Sequence, residues 1–128
     1  MPEDRLRTPG VDDLLDALVA LRARDEAYAL LLDLCTIREI HDMAQRLHVA
    51  RLLAAGEHYA RIQKVTGASA TTISRVSKCL NYGADGYRTV LERLWPEDAV
   101  ARRDSETAEG GTSRTEPSKT PRARKAGA

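Results

Sequence analysis

The chain has 128 residues and a net charge of +1, with one tryptophan and no phenylalanine. This length allows one domain. After Val100 there is no Val, Ile, Leu, Met or aromatic residue, so the last 28 positions cannot contribute to a hydrophobic core. The part able to fold spans only about residues 11–96, which is small enough that self-association would help to bury its apolar faces.

The composition argues against a membrane protein and against a metal site. No apolar run approaches the roughly 20 residues of a membrane span, and the first residues do not resemble a signal peptide, so we expect a cytoplasmic protein. Cys35 and Cys79 are then expected to be reduced thiols, with Cys79 a packing residue or, alternatively, an oxidant sensor. His41 and His48 lie seven positions apart with no third ligand near them in sequence, so we expect no bound metal.

The first third of the chain is acidic and has a helical pattern. Residues 1–10, with two prolines and one glycine, are predicted to be flexible. Residues 11–19 place apolar side chains at helical spacing, with acids near the start, where the helix dipole favours them. A second, Leu-rich helix is predicted over residues 27–34.

A third helix is predicted from residue 37 to about residue 55. Thr36 and Glu39 form the Thr-x-x-Glu signature of a capping box in front of it, and Gly56 is expected to end it. This helix is apolar on more than one face, which predicts burial at the centre of the domain or in a subunit contact.

The stretch over about residues 58–80 has the pattern of a helix-turn-helix. A short helix with inward-facing Ile62 and Val65 runs into Gly67, whose missing Cβ permits a sharp turn. Ser69 stands where an N-cap belongs, so its hydroxyl is expected to accept a hydrogen bond from the start of the next helix.

The second helix of this pair, the predicted recognition helix, has two different faces. Its apolar face, which can pack on the first helix, consists of Ile73, Val76 and Leu80. The opposite face carries the small hydroxyls and cations that reach base edges and phosphates, namely Thr71, Ser74, Arg75 and Lys78. Residues 58–80 contain four Lys and Arg and no acid. Amphipathic helix pairs also occur without a nucleic-acid partner, but the combination of glycine turn, cap, polar face and charge of one sign favours DNA binding.

A last amphipathic helix is predicted from Asp85 until Pro96 stops it, which makes six helices and no strand. Residues 97–128 are predicted to form a disordered tail because they have almost nothing to bury. Four cations near its end could add non-specific DNA affinity, or the tail could simply increase solubility. These cations are Lys119, Arg122, Arg124 and Lys125.

Residues 33–94 resemble the tryptophan-repressor superfamily, and in particular its YerC/YecD group of repressor-like proteins. The motifs that carry the resemblance are TGAS, TISRV and CLNYG, at residues 66–69, 72–76 and 79–83. The resemblance implies an all-α, Trp-repressor-like helix-turn-helix domain over residues 11–96 that forms an interwoven homodimer. It also implies that the two recognition helices enter successive major grooves of double-stranded DNA.

The expected DNA-contacting residues come from the cap and exposed face of the recognition helix and from the helix before it. They are Arg61, Lys64, Ser69, Thr71, Thr72, Ser74, Arg75 and Lys78. The first turns of the recognition helix are expected to contact bases, although Arg75 could instead brace the domain. The cations outside those turns would contact phosphates or form ordinary solvated surface.

The positions that hold the co-repressor in the tryptophan repressor correspond to a candidate effector pocket of Thr36, Arg46, Thr72 and Arg75. Two further positions differ from that family member. Val76 replaces a glycine that leaves room for the indole, and Cys79 replaces a serine that binds the amino group of the ligand. Valine would fill the space of the ring and cysteine is a poor hydrogen-bonding replacement, so we expect no tryptophan and no cofactor. Another small effector in an altered pocket stays open.

These patterns together predict a sequence-specific, dimeric transcriptional regulator, a repressor that occupies its operator in the nucleoid. The alternatives are a helical dimeric protein-interaction module and a non-specific nucleoid-associated DNA binder. A protein-binding face would carry exposed Leu, Met or aromatic residues, which the polar face of the recognition helix does not. We expect no enzyme, because the sequence has no Gly-rich phosphate loop and no nucleophile with an evident base.

Overall fold

Six α-helices of eight residues or more make up most of residues 5–98, the part of the chain that the computed structural model describes. They are α1 (Pro9–Ala20), α2 (Arg24–Leu34), α3 (Ile37–Ala54), α4 (Tyr59–Thr66), α5 (Ala70–Tyr82) and α6 (Gly86–Leu94). This range contains no strand, so the all-α prediction is confirmed. None of its helices is both long and apolar enough to cross a lipid bilayer.

The chain divides into two units, Met1–Met43 and Ala44–Ala128. Their described parts, residues 5–43 and 44–98, are called the first unit and the second unit below. The tail predicted for residues 97–128 lies outside the described residues except for its first two positions.

A local side-chain cap begins α1. The Thr8 hydroxyl accepts a hydrogen bond from the Val11 N–H (3.2 Å), and Pro9 occupies the first helical turn, where no partner for its nitrogen is needed. As a result α1 begins at Pro9, inside the segment predicted to be flexible. Helix α2 begins at Arg24 rather than at residue 27, without a side-chain cap.

The capping box predicted before α3 is confirmed. The Thr36 N–H donates to a carboxylate oxygen of Glu39 (2.8 Å), and the Glu39 N–H donates to the Thr36 hydroxyl oxygen (3.1 Å). Hydrogen bonding to Thr36 lowers the pKa of Glu39 below its ordinary value of 4.5. The backbone of Thr36 has the larger effect and its side chain the smaller.

The first unit leaves its large apolar side chains in contact with solvent. No residue of α1 or α2 is buried. On α1 the exposed fractions of Leu14 and Leu18 are 39% and 44%. The other exposed large apolar residues of this unit are Leu6, Leu15, Val19, Tyr28, Leu32, Leu34, Ile37 and Met43. Among the described residues, these helices therefore keep an amphipathic pattern whose apolar side is open to solvent.

The second unit has a hydrophobic core to which all four of its helices contribute. Its buried residues are Val49, Ala50, Ile62, Ala68, Ile73, Val76, Leu80 and Leu91. The inward face predicted for α5 is confirmed, because Ile73, Val76 and Leu80 are all buried. The prediction for Val65 is wrong, because its side chain is 46% exposed whereas Ile62 is completely buried. Val65 lies about 60° around the helix from Ile62, outside the narrow stripe that this short helix buries.

The ordered part of the second unit continues beyond the predicted end at Pro96. Residues 96–98 form a further helical turn, and the Asp98 carboxylate accepts a hydrogen bond from Arg51 Nε (2.9 Å). The same guanidinium lies over the Trp95 ring, 4.2 Å from its centroid. Glu97 and Asp98, predicted as the first residues of the tail, therefore belong to the folded part.

Candidate nucleic-acid interface

The turn between α4 and α5 is built around Gly67. Its φ of +73° lies in the left-handed region, and its N–H donates to the Gln63 carbonyl (2.9 Å) to close α4. The Thr66 hydroxyl donates to the Ile62 carbonyl (2.7 Å) and accepts from the Ala68 N–H (3.1 Å). These bonds fix the direction in which the chain leaves α4.

A residue of α3 also holds this turn. The Gln45 side-chain amide donates to the Thr66 carbonyl (3.2 Å), one of the last carbonyls of α4 and without a partner in its own helix. This role could not be predicted, because Gln45 and Thr66 are 21 positions apart and a polar residue in α3 has no distinctive local pattern.

Ser69 caps α5 as predicted. Its hydroxyl oxygen accepts from the Thr72 N–H (3.1 Å), and the Ser69 hydroxyl donates to the Thr72 hydroxyl oxygen (3.1 Å). Both residues were predicted to contact DNA, and the structure shows them engaged with each other at the helix start. Their observed role is to fix the first turn of α5.

The remaining predicted residues of α5 lie together on its exposed face. They are Thr71, Ser74, Arg75 and Lys78, all exposed, and they lie opposite the buried Ile73, Val76 and Leu80. From the first to the last the helix rises by roughly 10 Å, comparable with the ~12 Å width of the DNA major groove. The structure thus brings these four side chains onto one accessible surface, and their contact with DNA stays a prediction.

The two predicted cations of α4 differ in their surroundings. Arg61 forms an ion pair with Glu57, one turn earlier, with 3.1 Å between the guanidinium and the carboxylate. Glu57 lies one position before the acid-free stretch 58–80, so the sequence pattern missed it. Lys64 is exposed. Because Arg61 is itself 64% exposed, its pairing with Glu57 is screened and can be exchanged for a phosphate.

The end of α5 is held from the next helix. The Arg88 Nε–H donates to the Leu80 carbonyl (3.0 Å), and a terminal guanidinium nitrogen donates to the Asn81 side-chain oxygen (3.4 Å). Asn81 in turn donates to the Ser77 hydroxyl (3.4 Å). Arg88 was not among the predicted site residues.

The residues of the candidate effector pocket are divided between the two units. Thr36 belongs to the first unit, where its hydroxyl and N–H are both used in the capping box. Arg46, Thr72 and Arg75 belong to the second unit. Val76, which replaces a glycine of the tryptophan repressor, is 3% exposed and part of the core.

Tyr87 is a further residue of the second unit, on α6, that the sequence did not single out. Burial raises the pKa of the Tyr87 hydroxyl above its ordinary value of 10.0, the nearby Cys79 raises it further, and Arg46 opposes both. Cys79 is a free thiol and exposed, so the expectation that it is a packing residue is wrong.

Comparison with known proteins decides the family. The family model described as Trp repressor protein matches residues 9–95. The chain belongs to the Trp repressor family. This family indicates a DNA-binding regulator rather than an enzyme.

Relatives of this Trp repressor family member agree with that assignment in sequence and fold. The chain is 48% identical over 94 residues to the uncharacterized protein YerC of Bacillus subtilis (strain 168), which covers 73% of this chain and 90% of YerC. A solved candidate Trp repressor from Staphylococcus aureus is 42% identical with a TM-score of 0.70, and covers 73% of this chain and 94% of its own. A TrpR-like protein from Eubacterium eligens ATCC 27750 is 47% identical with a TM-score of 0.69, over 71% and 94% of the two chains.

Proposed function

We propose that this protein is a transcriptional repressor that binds operator DNA as a homodimer, in the cytoplasm at the nucleoid, without tryptophan as co-repressor. The observation that carries the proposal is the division of α5 into a buried apolar face and an exposed face of hydroxyls and cations. The buried face fixes the helix on the core through Ile73, Val76 and Leu80. The other face is left free for a partner.

The chemistry of the exposed face suits DNA better than protein. Thr71 and Ser74 carry small groups that can donate or accept a hydrogen bond at a base edge. Arg75 can make a bidentate contact with guanine, and Lys78 can reach a phosphate. A protein-binding face would instead be enriched in Met, Leu and aromatic side chains.

The proposed homodimer follows from the first unit. Leu14 and Leu18 lie one turn apart on α1, and each exposes more than a third of its surface in the single chain. With Leu15 and Val19 beside them, they form an apolar surface that a soluble monomer rarely presents. A second copy of the chain has the same surface and can cover it by two-fold symmetry.

The absence of a tryptophan requirement is proposed from the packing of α5. The Val76 side chain is part of the core, and Tyr87 lies half-buried against the same core. An indole ring placed between them would have to displace packed side chains, which typically costs about 1–3 kcal/mol. The proposed DNA binding therefore does not require tryptophan.

The proposal is tested by selecting genomic fragments with the purified protein and then titrating the enriched duplex and a scrambled one by fluorescence anisotropy. Both titrations are made at two salt concentrations, with and without L-tryptophan, and the oligomeric state is measured by light scattering. We expect a palindromic site, preference for that site over the scrambled duplex, no effect of tryptophan, and a dimer.

A matched pair of variants identifies the surface. Arg75→Ala and Arg93→Ala each remove one exposed arginine, the first from the proposed DNA-binding face and the second from α6. Arg75→Ala should weaken operator binding by roughly tenfold or more, and Arg93→Ala should change it little. Equal affinity of the wild type for both duplexes would instead indicate non-specific DNA binding, and a monomer would contradict the dimer.

A further inference from the structure

The C-terminal end of α5 is held by a residue of α6 that lies eight positions further along the chain. The last carbonyls of a helix have no partner within it. Here the Leu80 carbonyl accepts from Arg88 Nε (3.0 Å), and the same guanidinium donates to the side chain of Asn81 (3.4 Å). A cation at this end also interacts favourably with the helix dipole.

We propose that Arg88 is a positioning residue that sets the orientation of α5, and through it the affinity and sequence specificity of DNA binding, without touching DNA. This inference rests on the proposed function, because it assigns to Arg88 the placement of the proposed DNA-binding face.

The reason lies in the difference between apolar burial and hydrogen bonding. The buried face of α5 attracts the helix to the core, but this attraction is non-directional and tolerates small rotations about the helix axis. A hydrogen bond depends steeply on its angle. The two bonds from one planar guanidinium, to the backbone of Leu80 and the side chain of Asn81, therefore define the rotation of α5.

The chain between the two helices is built to bring Arg88 to this place. A Cβ on Gly83 would lie only 2.3 Å from the Cys79 carbonyl oxygen, so the chain can turn away from α5 there only with glycine. Asp85 follows in the left-handed region, with φ of +68°. Its carbonyl then accepts from the N–H and the hydroxyl of Thr89 (3.0 and 2.9 Å), which starts α6 in a fixed direction.

The first experiment compares Arg88→Ala and Arg88→Lys with the wild type on the enriched and scrambled duplexes. Arg93→Ala, on the same helix, controls for the loss of one charge. We expect Arg88→Ala to lower the affinity for the operator roughly tenfold, which corresponds to the energy of one charge-assisted hydrogen bond. The affinity for the scrambled duplex should change much less. Arg88→Lys keeps the charge and an ammonium donor group but not the planar fork, so its operator affinity should fall between those of the wild type and Arg88→Ala.

The second experiment tests positioning directly by a double-mutant cycle between Arg88→Ala and Thr71→Ala. Thr71 and Leu80 are roughly 14 Å apart along α5, a distance at which independent effects add. If Arg88 places the face that carries Thr71, the loss caused by Thr71→Ala should shrink at least threefold in the Arg88→Ala background. The cycle is repeated with Arg88→Lys, which keeps the test valid if Arg88→Ala does not fold.

The outcomes separate the two claims. A wild type that does not distinguish the two duplexes overturns the proposed function, and the inference with it. A wild type that does distinguish them, combined with unchanged discrimination in both Arg88 variants or with additive losses in the cycle, overturns the inference alone. Reduced discrimination with non-additive losses supports it.

Discussion

The first and second units are stabilised in different ways. In the first unit the side-chain hydrogen bonds join residues five or fewer positions apart, as in the pairs Arg7–Asp12 and Thr36–Glu39. In the second unit such bonds also span 21 and 47 positions, from Gln45 to Thr66 and from Arg51 to Asp98. The second unit has a buried core as well, whereas α1 and α2 bury no residue.

The difference shows that helix formation and tertiary stability can be encoded in separate parts of one chain. Local caps at Thr8 and Thr36 mark where α1 and α3 begin, but they cannot compensate for exposed leucines. The second unit has the burial that a stable fold requires, and it also carries the proposed DNA-binding face. We infer that the first unit obtains its burial from the proposed second copy.

The largest effect is expected in the core of the second unit. Ile62→Ala removes a completely buried side chain and should lower the free energy of unfolding by about 2–5 kcal/mol. Val65→Ala, on the same helix but 46% exposed, should cost less than about 1 kcal/mol. Chemical denaturation of both variants measures the difference, and similar costs would mean that α4 is not packed through Ile62.

Gly83 and Gly86 form a second pair within this unit. Gly83→Ala places a Cβ 2.3 Å from a backbone oxygen that cannot move aside, so a loss of about 1–3 kcal/mol is expected. No atom lies within 4 Å of a Cβ at Gly86, and Gly86→Ala should leave stability equal or raise it by up to about 1 kcal/mol. Thermal unfolding of the two variants checks this order.

The first unit should respond through association rather than through its own core. Leu18→Ala should weaken the proposed dimer by roughly tenfold, because the leucine would be covered only by the second copy. The exposed Asp13→Ala on the same helix is the control. Sedimentation over a dilution series measures both, and unchanged association of Leu18→Ala would place the dimer contact elsewhere.

The start of α5 separates capping from DNA contact. Ser69→Ala removes the cap and should cost about 1 kcal/mol of stability. Ser74→Ala, on the exposed face, should change stability by less than about 0.5 kcal/mol but weaken operator binding. If Ser74→Ala were the more destabilising of the two, the division of roles along α5 would be incorrect.

The smallest effect concerns the capping box of the first unit. Because the pKa of Glu39 is lowered in the folded state, its stabilisation is fully present above pH 4.5 and is lost as the pH falls through the lowered value. Glu39→Gln should therefore make the melting temperature less sensitive to acid than in the wild type. Glu92→Gln, which changes an exposed carboxylate on α6, serves as the control.

The sequence was sufficient where structure depends on neighbouring residues. Partners within a few positions of each other form the caps at Thr36 and Ser69, the turn at Gly67 and the two faces of α5. Their spacing in the sequence therefore predicts these features. Thr8 and Pro9 carried an equally local signal for the start of α1, but the nearby glycine and second proline suggested flexibility instead.

The parts that could not be predicted depend on contacts between distant elements. Val65 was expected to face inward because it is apolar. Its apolar character does not show how wide a stripe a short helix buries, so the expectation was wrong. Gln45 and Arg88 are polar residues in helices, and only the packing of those helices places them at the ends of α4 and α5. Asp98 was predicted to belong to the tail because its partner, Arg51, lies 47 positions earlier in the sequence.

The contact of Arg51 with Trp95 gives the protein an optical probe of its own. Trp95 is the one tryptophan of the chain, and its ring centroid lies 4.2 Å from the guanidinium carbon. Indole fluorescence should therefore change when the second unit opens, while circular dichroism follows the helices of both units. In a single denaturant titration, coincident curves would show that the units unfold as one cooperative body, and an earlier loss of ellipticity would show that the first unit unfolds by itself.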